Sequence, residues 1–184
     1  MTLTETPICN FGEKAKSFDL LSTANKKISL NDIKGENGTL IMFICNHCPY
    51  VKAVVKDIVE DAKYLETLGI KSVAIMSNDV KNYPEDSFKN MVSFSKLHNF
   101  SFPYLIDETQ KIAKEYGAVC TPDFFGYNKN LELQYRGRIR ELKNLKPVGK
   151  GNSDLRIAMQ LIATSGKGPK NQIPSMGCNI KWFK

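Results

Sequence analysis

Two cysteines, separated by two residues, stand where an apolar segment meets an amphipathic helix. The apolar residues 40–44 run directly into Cys45-Asn-His-Cys48, and Pro49 follows. Pro49 suits the first turn of a helix, where its missing N–H removes no hydrogen bond. Beyond it, apolar residues recur at the i, i+3, i+4 spacing of one buried helix face: Val51, Val54, Val55, Ile58, Val59, Ala62 and Leu65. This pattern requires a buried strand that leads straight into a helix, with the cysteines at the junction.

The position of the two cysteines predicts reactive thiols. Free backbone N–H groups and the helix dipole stabilise a thiolate at such a junction. We expect Cys45, as the more exposed thiol, to be the nucleophile with a lowered pKa, and Cys48 to face inward as the resolving thiol. His47, between them, is expected to favour the Cys45 thiolate. The simpler alternative is a pair of buried, reduced packing cysteines.

Length, charge and cysteine count exclude several classes of protein. The 184 residues suit one domain, 1–184, and 42% of them are hydrophobic. No run of about 18 apolar residues predicts a membrane span, and no basic and then apolar leader is visible, so we expect a cytoplasmic protein. The net charge of +7 comes from scattered lysines, which argues against a nucleic-acid partner. Five cysteines, an odd number, argue against a framework of structural disulfides.

Strands and helices alternate along the chain. Strands are expected in the segments 15–34 (with a turn inside it), 40–44, 70–76, 104–107, 124–127 and 131–135. Helices are expected after Pro49, around 88–97, around 109–116 with Gly117 beyond its end, and after Ser153 as N-cap. The apolar faces of the second and last helices are marked by Phe88, Met91, Val92 and Leu97, and by Leu155, Ala158, Leu161 and Ile162. This order, with a dithiol after the first central strand, predicts an α/β, thioredoxin-like fold with a central mixed sheet flanked by helices.

The last segment, 166–184, is rich in glycine, proline and lysine and is expected to form an extended C-terminal arm. Ile180 and Trp182 are its expected apolar anchors on the body of the domain. An arm of this length can cross the domain. We therefore expect Cys178 to lie nearer to Cys120 or to the dithiol than to Cys9.

Five segments of the sequence resemble the redoxins, and most closely the peroxiredoxin-like, AhpC/TSA-type branch that carries Cys-x-x-Cys. The matching segments cover most of the chain in the expected order: 45–50, 77–87, 116–125, 135–138 and 177–182. The resemblance implies thiol–disulfide exchange with a protein or small-molecule disulfide, an electron donor that the sequence does not identify, and no cofactor. It also implies a cis peptide bond at Thr121-Pro122, facing the dithiol, with the Thr121 backbone pairing to a substrate peptide. Thr39 and Ile44 depart from thioredoxin, which has an acidic residue and a tryptophan at these places.

Two other activities compete with disulfide exchange. In a peroxidase that uses a hydroperoxide, Cys48 matches the peroxidatic cysteine of the resembled family, but Cys45 replaces a threonine that orients the peroxide. The orienting arginine is also missing from its place, and Arg136, Arg138 and Arg140 are expected to face solvent. In a metal-binding module, Cys45, His47 and Cys48 would hold copper or zinc together with Cys120. Cys120 and Cys178 are otherwise auxiliary thiols that relay the disulfide, or small packing residues.

Overall fold

The apolar segment before Cys45 forms an inner strand of a seven-stranded sheet in the computed structural model, which describes residues 2–184. In that range the strands are β1 Leu3–Glu5, β2 Asp19–Ser22, β3 Lys27–Ser29, β4 Gly38–Phe43, β5 Ile70–Met76, β6 Tyr104–Ile106, β7 Cys120–Thr121, β8 Asp123–Asn128, β9 Leu133–Arg136, β10 Leu142–Lys143, β11 Lys146–Pro147 and β12 Met176–Asn179. The α-helices are α1 Pro49–Glu66, α2 Phe88–Leu97, α3 Lys111–Tyr116 and α4 Asp154–Ser165, and a short 3-10 helix spans Pro84–Asp86. Among these helices, none combines the length and the apolar character needed to cross a membrane.

The large sheet is mixed and carries helices on both faces. Its strand order is β3-β2-β6-β5-β4-β8-β9. β4, β5 and β6 run parallel, while the other neighbours pair antiparallel. Leu40 and Met42 of β4 pack with residues of α1 and α4, and Ile41 and Phe43 pack with residues of α3. β4 is buried at every position because both of its faces are covered, which confirms the expected thioredoxin-like α/β fold.

α1 and α4 pack together through a buried acidic residue. Asp61 of α1 accepts hydrogen bonds from the Ser153 hydroxyl and, at 2.7 Å, from Arg156 Nε. Ser153 is the N-cap of α4 as predicted, since its hydroxyl also accepts the Arg156 backbone N–H at 2.9 Å. The helix that starts at the dithiol is therefore fixed to the body by polar as well as apolar contacts.

The apolar faces of α2 and α4 differ from the prediction at two leucines. Leu97 is 74% exposed, and Phe94 is the buried aromatic residue of α2, where it packs against His98 and Phe100. Leu161 is exposed because it lies six positions after Leu155, which places it on the other side of the helix. Met159, one turn after Leu155, takes its place in the core.

The C-terminal arm is ordered on the domain as predicted, because it forms a strand. β12 lies between β1 and β7 in a small antiparallel sheet. In its register Cys178 is opposite Thr121, and Asn179 is opposite Cys120. Ile180 is buried as expected. Trp182 is 37% exposed, and the Lys114 amine lies 5.6 Å from the centre of its ring. Trp182 is therefore not the buried anchor that the sequence suggested.

Candidate active site

The two cysteines occupy the turn between β4 and α1. Cys45 comes two residues after β4 ends, and Cys48 is the N-cap of α1, with extended dihedral angles (φ −64°, ψ 122°) and Pro49 in the first turn. The backbone N–H of Val51, in the first turn of α1, is among the groups that lower the pKa of Cys48. The free N–H groups at the start of the helix therefore serve Cys48, and not Cys45 as the sequence suggested.

Both thiols are buried, which corrects the prediction that Cys45 is the exposed one. Cys45 is only 1% exposed, and Cys48 is fully covered. Two side chains lie over the Cys45 sulfur: the Thr121 hydroxyl at 3.4 Å and His47 Nδ1 at 3.9 Å. Since Thr121 comes from a strand 76 positions away, this cover was not visible in the local pattern.

Burial and hydrogen bonding separate the pKa values of the two thiols, so that the pKa of Cys48 is lowered and that of Cys45 is raised. The hydrogen bond from the Cys45 thiol, together with Thr121 and the Val51 N–H, lowers the pKa of Cys48 to about 5 against the cost of burial. The same hydrogen bond, burial and the Asp86 charge raise the pKa of Cys45 well above its ordinary value. The predicted low pKa of Cys45 is therefore wrong.

One contact opposes this distribution of charge. The Thr121 carbonyl oxygen lies 3.1 Å from the Cys48 sulfur. A protonated Cys48 donates to that oxygen, whereas a thiolate gains nothing from it, so the contact works against ionisation. The thiol of Cys45 and the N–H of Val51 act in the other direction. The groups that lower the pKa of Cys48 outweigh this single acceptor, and one of them lies at a helix start.

Asp86 is the site residue that sequence reasoning missed. It is fully buried at the end of the 3-10 helix, and its carboxylate accepts the backbone N–H groups of Asn46 at 2.8 Å and His47 at 3.2 Å. It also accepts the Asn78 side-chain amide at 2.8 Å and lies 2.6 Å from His47 Nδ1. Asp86 thus fixes the two residues between the cysteines. The only sequence signal was its place in the segment 77–87, which resembles the redoxins but has no reactive residue.

His47 and Asp86 form an ion pair beside the dithiol. The hydrogen bond to Asp86 raises the pKa of His47, and although burial opposes it, bonding to His47 and Asn78 lowers the pKa of Asp86. The ring also stacks on Tyr83, with centroids 5.7 Å apart. Because the Asp86 carboxylate balances the imidazolium charge, the pair offers little net positive charge to Cys45. This explains why His47 does not lower the pKa of Cys45 as expected.

The Thr121–Pro122 peptide bond is cis, as expected. The backbone of Thr121 is not open to a substrate peptide, however, because β12 already pairs with β7. A groove of about 540 Å³ lies on the other side of Pro122, between α1 and the arm. Its walls include Tyr50, Ile173 and Met176. Charged side chains, among them Arg138 and Glu141, also line the groove. A small substrate therefore has a mixed apolar and charged surface beside Pro122, while an extended peptide finds the strand edge occupied.

All four arginines of the sequence are engaged with carboxylates. The ion pairs join Arg136 to Asp123 at 3.0 Å, Arg138 to Asp154 at 2.7 Å, Arg140 to Asp57 at 3.1 Å and Arg156 to Asp61 at 2.7 Å. The expectation that the first three face solvent is therefore wrong. Within residues 2–184, no arginine hydrogen-bonds to either dithiol sulfur, so the site lacks the guanidinium that would orient a peroxide.

The metal-ligand set suggested by the sequence is only partly brought together. In the described part of the chain, the donor atoms that lie within 4.8 Å of one another belong to Cys45, His47 and Asp86. Cys48 and Cys120 of the predicted set are not among them, and the Cys120 sulfur is directed at the Pro122 carbonyl oxygen, 3.6 Å away. Since His47 and Asp86 are already bonded to each other, the arrangement favours a redox site over a metal centre.

Comparisons with known proteins agree with this geometry. The family model described as the AhpC/TSA family matches residues 11–142 of the chain. A search of curated protein sequences gives no significant match.

Two solved structures are similar over essentially the whole chain. An uncharacterized conserved protein from Geobacillus kaustophilus is 38% identical, with a TM-score of 0.94, over 100% of this chain and 97% of that one. A hypothetical protein from Sinorhizobium meliloti 1021 is 34% identical, with a TM-score of 0.91, over 98% of each chain. A thioredoxin-family thiol:disulfide interchange protein from Chlorobium tepidum TLS is 16% identical, with a TM-score of 0.61, over 84% of this chain and 96% of that one, and shares the fold.

Proposed function

This chain belongs to the AhpC/TSA family, and we propose that this oxidoreductase exchanges disulfides through Cys45 and Cys48. The observation that carries the proposal is the placement of the two cysteine sulfurs at the start of α1, each against Thr121 of the cis Thr121–Pro122 bond. A thiolate with a neighbouring thiol as hydrogen-bond donor is the arrangement that disulfide exchange needs. Both thiols lie on one turn, so one can complete the exchange that the other begins.

The exchange takes two balanced steps. The Cys48 thiolate attacks one sulfur of a substrate disulfide, the substrate S–S bond breaks, and the first substrate thiol leaves with a proton from solvent. Cys45 then loses its proton and attacks the Cys48 sulfur, which releases the second substrate thiolate and forms the Cys45–Cys48 disulfide. The substrate gains two electrons from the dithiol and two protons, one from solvent and one from Cys45. These roles are the reverse of those suggested by the sequence, because the low pKa belongs to Cys48.

We propose a small-molecule disulfide as the first substrate, because β12 covers the strand edge that a peptide would use and a groove lies beside Pro122. Stopped-flow mixing of the reduced protein with hydroxyethyl disulfide, followed by thiol release, tests this. Cys48→Ser should abolish the reaction. Cys9→Ser is the matched control, since Cys9 lies away from the dithiol and should leave the rate unchanged.

A peroxidase is the second candidate, favoured by the low pKa of Cys48 and its position at a helix start. The engagement of every arginine with a carboxylate opposes it, since positioned donors supply much of the stabilisation of such a transition state. The same stopped-flow experiment with hydrogen peroxide separates the two. A reaction with peroxide that is far faster than that of a free thiol, and that is lost in Cys48→Ser, would identify peroxide reduction as the activity in place of disulfide exchange.

A further inference from the structure

We propose that Cys178 is a third redox thiol, which displaces Cys45 from the Cys45–Cys48 disulfide and forms a Cys48–Cys178 disulfide. The proposal deepens the proposed function and rests on it. The geometry comes from the β12–β7 register, in which Cys178 is opposite Thr121. Opposite residues of an antiparallel pair share one face of the sheet, and the Thr121 hydroxyl lies 3.4 Å from the Cys45 sulfur, so Cys178 lies on the face of β7 that meets the dithiol. The side chains of Cys48 and Cys178 are hydrogen-bonded, and both are buried in one core cluster with Cys45.

The arm is fixed on both sides of Cys178. Before it, the Ser175 hydroxyl donates to the Pro122 carbonyl oxygen at 2.7 Å. After it, the backbone N–H of Lys181 donates to the Asn78 side-chain oxygen at 2.8 Å, and Asn78 also bonds Asp86. β12 therefore fills the place beside Thr121 where a substrate peptide was expected. Cys178 is the residue of this chain that pairs with Thr121 there.

The transfer of the disulfide is balanced and needs no additional oxidant. The Cys178 thiolate attacks the Cys48 sulfur of the Cys45–Cys48 disulfide. The Cys48–Cys178 bond forms as the Cys45–Cys48 bond breaks, and Cys45 leaves as a thiolate that takes up the proton lost by Cys178. One disulfide is broken and one is made, so the total number of electrons on the protein does not change.

The state of Cys48 controls when Cys178 can react. In the reduced protein, burial and the Cys48 thiolate raise the pKa of Cys178 to about 12, so this thiol is inert. Once Cys48 is part of a disulfide, its negative charge and its acceptor role are gone, and one cause of the raised pKa disappears with them. Cys178 thus becomes a better nucleophile only after the dithiol has been oxidised.

The other two cysteines are not suited to this role. Burial raises the pKa of Cys120 strongly, and its sulfur is directed at the Pro122 carbonyl oxygen. Cys9 lies in a separate pocket with Arg136 and Gln172. They therefore serve as controls.

The test uses the chromogenic disulfide DTNB on the full-length Cys9→Ser/Cys45→Ser variant, in which Cys48 cannot be resolved by Cys45. If Cys178 resolves it, each protein releases about two equivalents of thionitrobenzoate and keeps none bound. Peptide mapping then finds a Cys48–Cys178 disulfide. Adding Cys178→Ser should leave about one equivalent released and one bound. Adding Cys120→Ser in its place should change nothing.

Three results would overturn the proposal. A stable mixed disulfide on Cys48 while Cys178 is present would overturn the relay but leave Cys48 as the nucleophile of the proposed function. A disulfide from Cys48 to Cys120 would assign the role to the other thiol. No release at all would overturn both. Wild-type protein treated with one equivalent of diamide gives a check independent of the variants, because mapped peptides should include Cys48–Cys178, and Cys45–Cys48 alone would contradict the relay.

Discussion

At the scale of single residues, Asp86 sets the charges beside the dithiol through His47 and through its own field. Asp86→Asn keeps the size of the side chain but removes the negative charge. We expect the pKa of His47 to fall, because its raised value comes first from the hydrogen bond to Asp86. We also expect the pKa of Cys45 to fall, because the Asp86 charge is one cause of its increase.

Proton NMR of the histidine rings across pH measures the first effect. His98 is the only other histidine and lies at the end of α2, so its titration should not change. An unchanged His47 pKa in Asp86→Asn, with the fold intact, would mean that the ion pair does not control the ring.

The assignment of the thiolate to Cys48 can also be measured directly. As the pH is raised, thiolate absorbance at about 240 nm should increase with a pKa of about 5 in the reduced wild-type protein. Cys48→Ser should lack this transition. Cys45→Ala should keep it but at higher pH, because the thiol that donates to Cys48 is gone. A transition that disappears only in Cys45→Ala would restore Cys45 as the nucleophile.

At the scale of elements, the position of β12 depends on a glycine. A Cβ atom added to Gly177 would collide with the Thr121 carbonyl oxygen, so only glycine lets β12 approach β7 at this point. Gly177→Ala should therefore displace β12 and lower the free energy of unfolding by about 2 kcal/mol, as overpacking of a tight contact does. Urea denaturation measures the loss.

A neighbouring residue supplies the control for Gly177. Met176 lies in the same strand with its side chain partly exposed, so Met176→Ala should change stability much less. Gly177→Ala should also reduce the yield of the Cys48–Cys178 disulfide after mild oxidation, and Met176→Ala should not. Equal yields in both variants would show that Cys178 reaches Cys48 without the β12–β7 contact.

The elements also show what the sequence was able to predict. The sequence predicts β4, α1 and β5 because the local spacing of apolar residues indicates which face of each element is buried. In α1, Val51, Val54 and Ile58 show this spacing. The burial of Cys45 was not predictable, because the residue that covers it, Thr121, belongs to a distant strand. Asp86 was missed for the same reason, since its partners lie about 40 positions earlier in the chain. Local spacing thus predicted the dithiol and its helix but not the groups that set its charge.

At the scale of the whole molecule, the charge on Cys48 makes stability depend on redox state and pH. Its folded pKa of about 5 is below the ordinary value of 9.0, so the thiolate stabilises the reduced protein above the ordinary pKa, and this contribution is lost as the pH falls through about 5. At pH 7 it amounts to up to about 3 kcal/mol. Cys45 adds nothing in this window, because it is protonated in both the folded and unfolded states.

In a Cys178→Ser background, where the disulfide stays between Cys45 and Cys48, the oxidised protein has no thiolate on Cys48 but gains about 2 kcal/mol from closing a short disulfide loop. We therefore expect the free energy of unfolding of the reduced form, minus that of the oxidised form, to be about 2 kcal/mol larger at pH 7 than at pH 5. Urea denaturation of both forms at the two pH values measures this difference. The Cys45→Ser/Cys48→Ser variant should show no effect of reductant. A difference that stays constant between the two pH values would contradict the low pKa of Cys48.

The small sheet of β1, β12 and β7 also has a consequence for synthesis on the ribosome. Translation produces β4, α1 and β7 well before β12, so a growing chain displays the dithiol and the open edge of β7 together. During that interval, the edge at Thr121 is free to pair with other extended polypeptide. The edge closes once Met176–Asn179 has left the exit tunnel and paired with it. The completed chain therefore covers an edge that the growing chain still exposes.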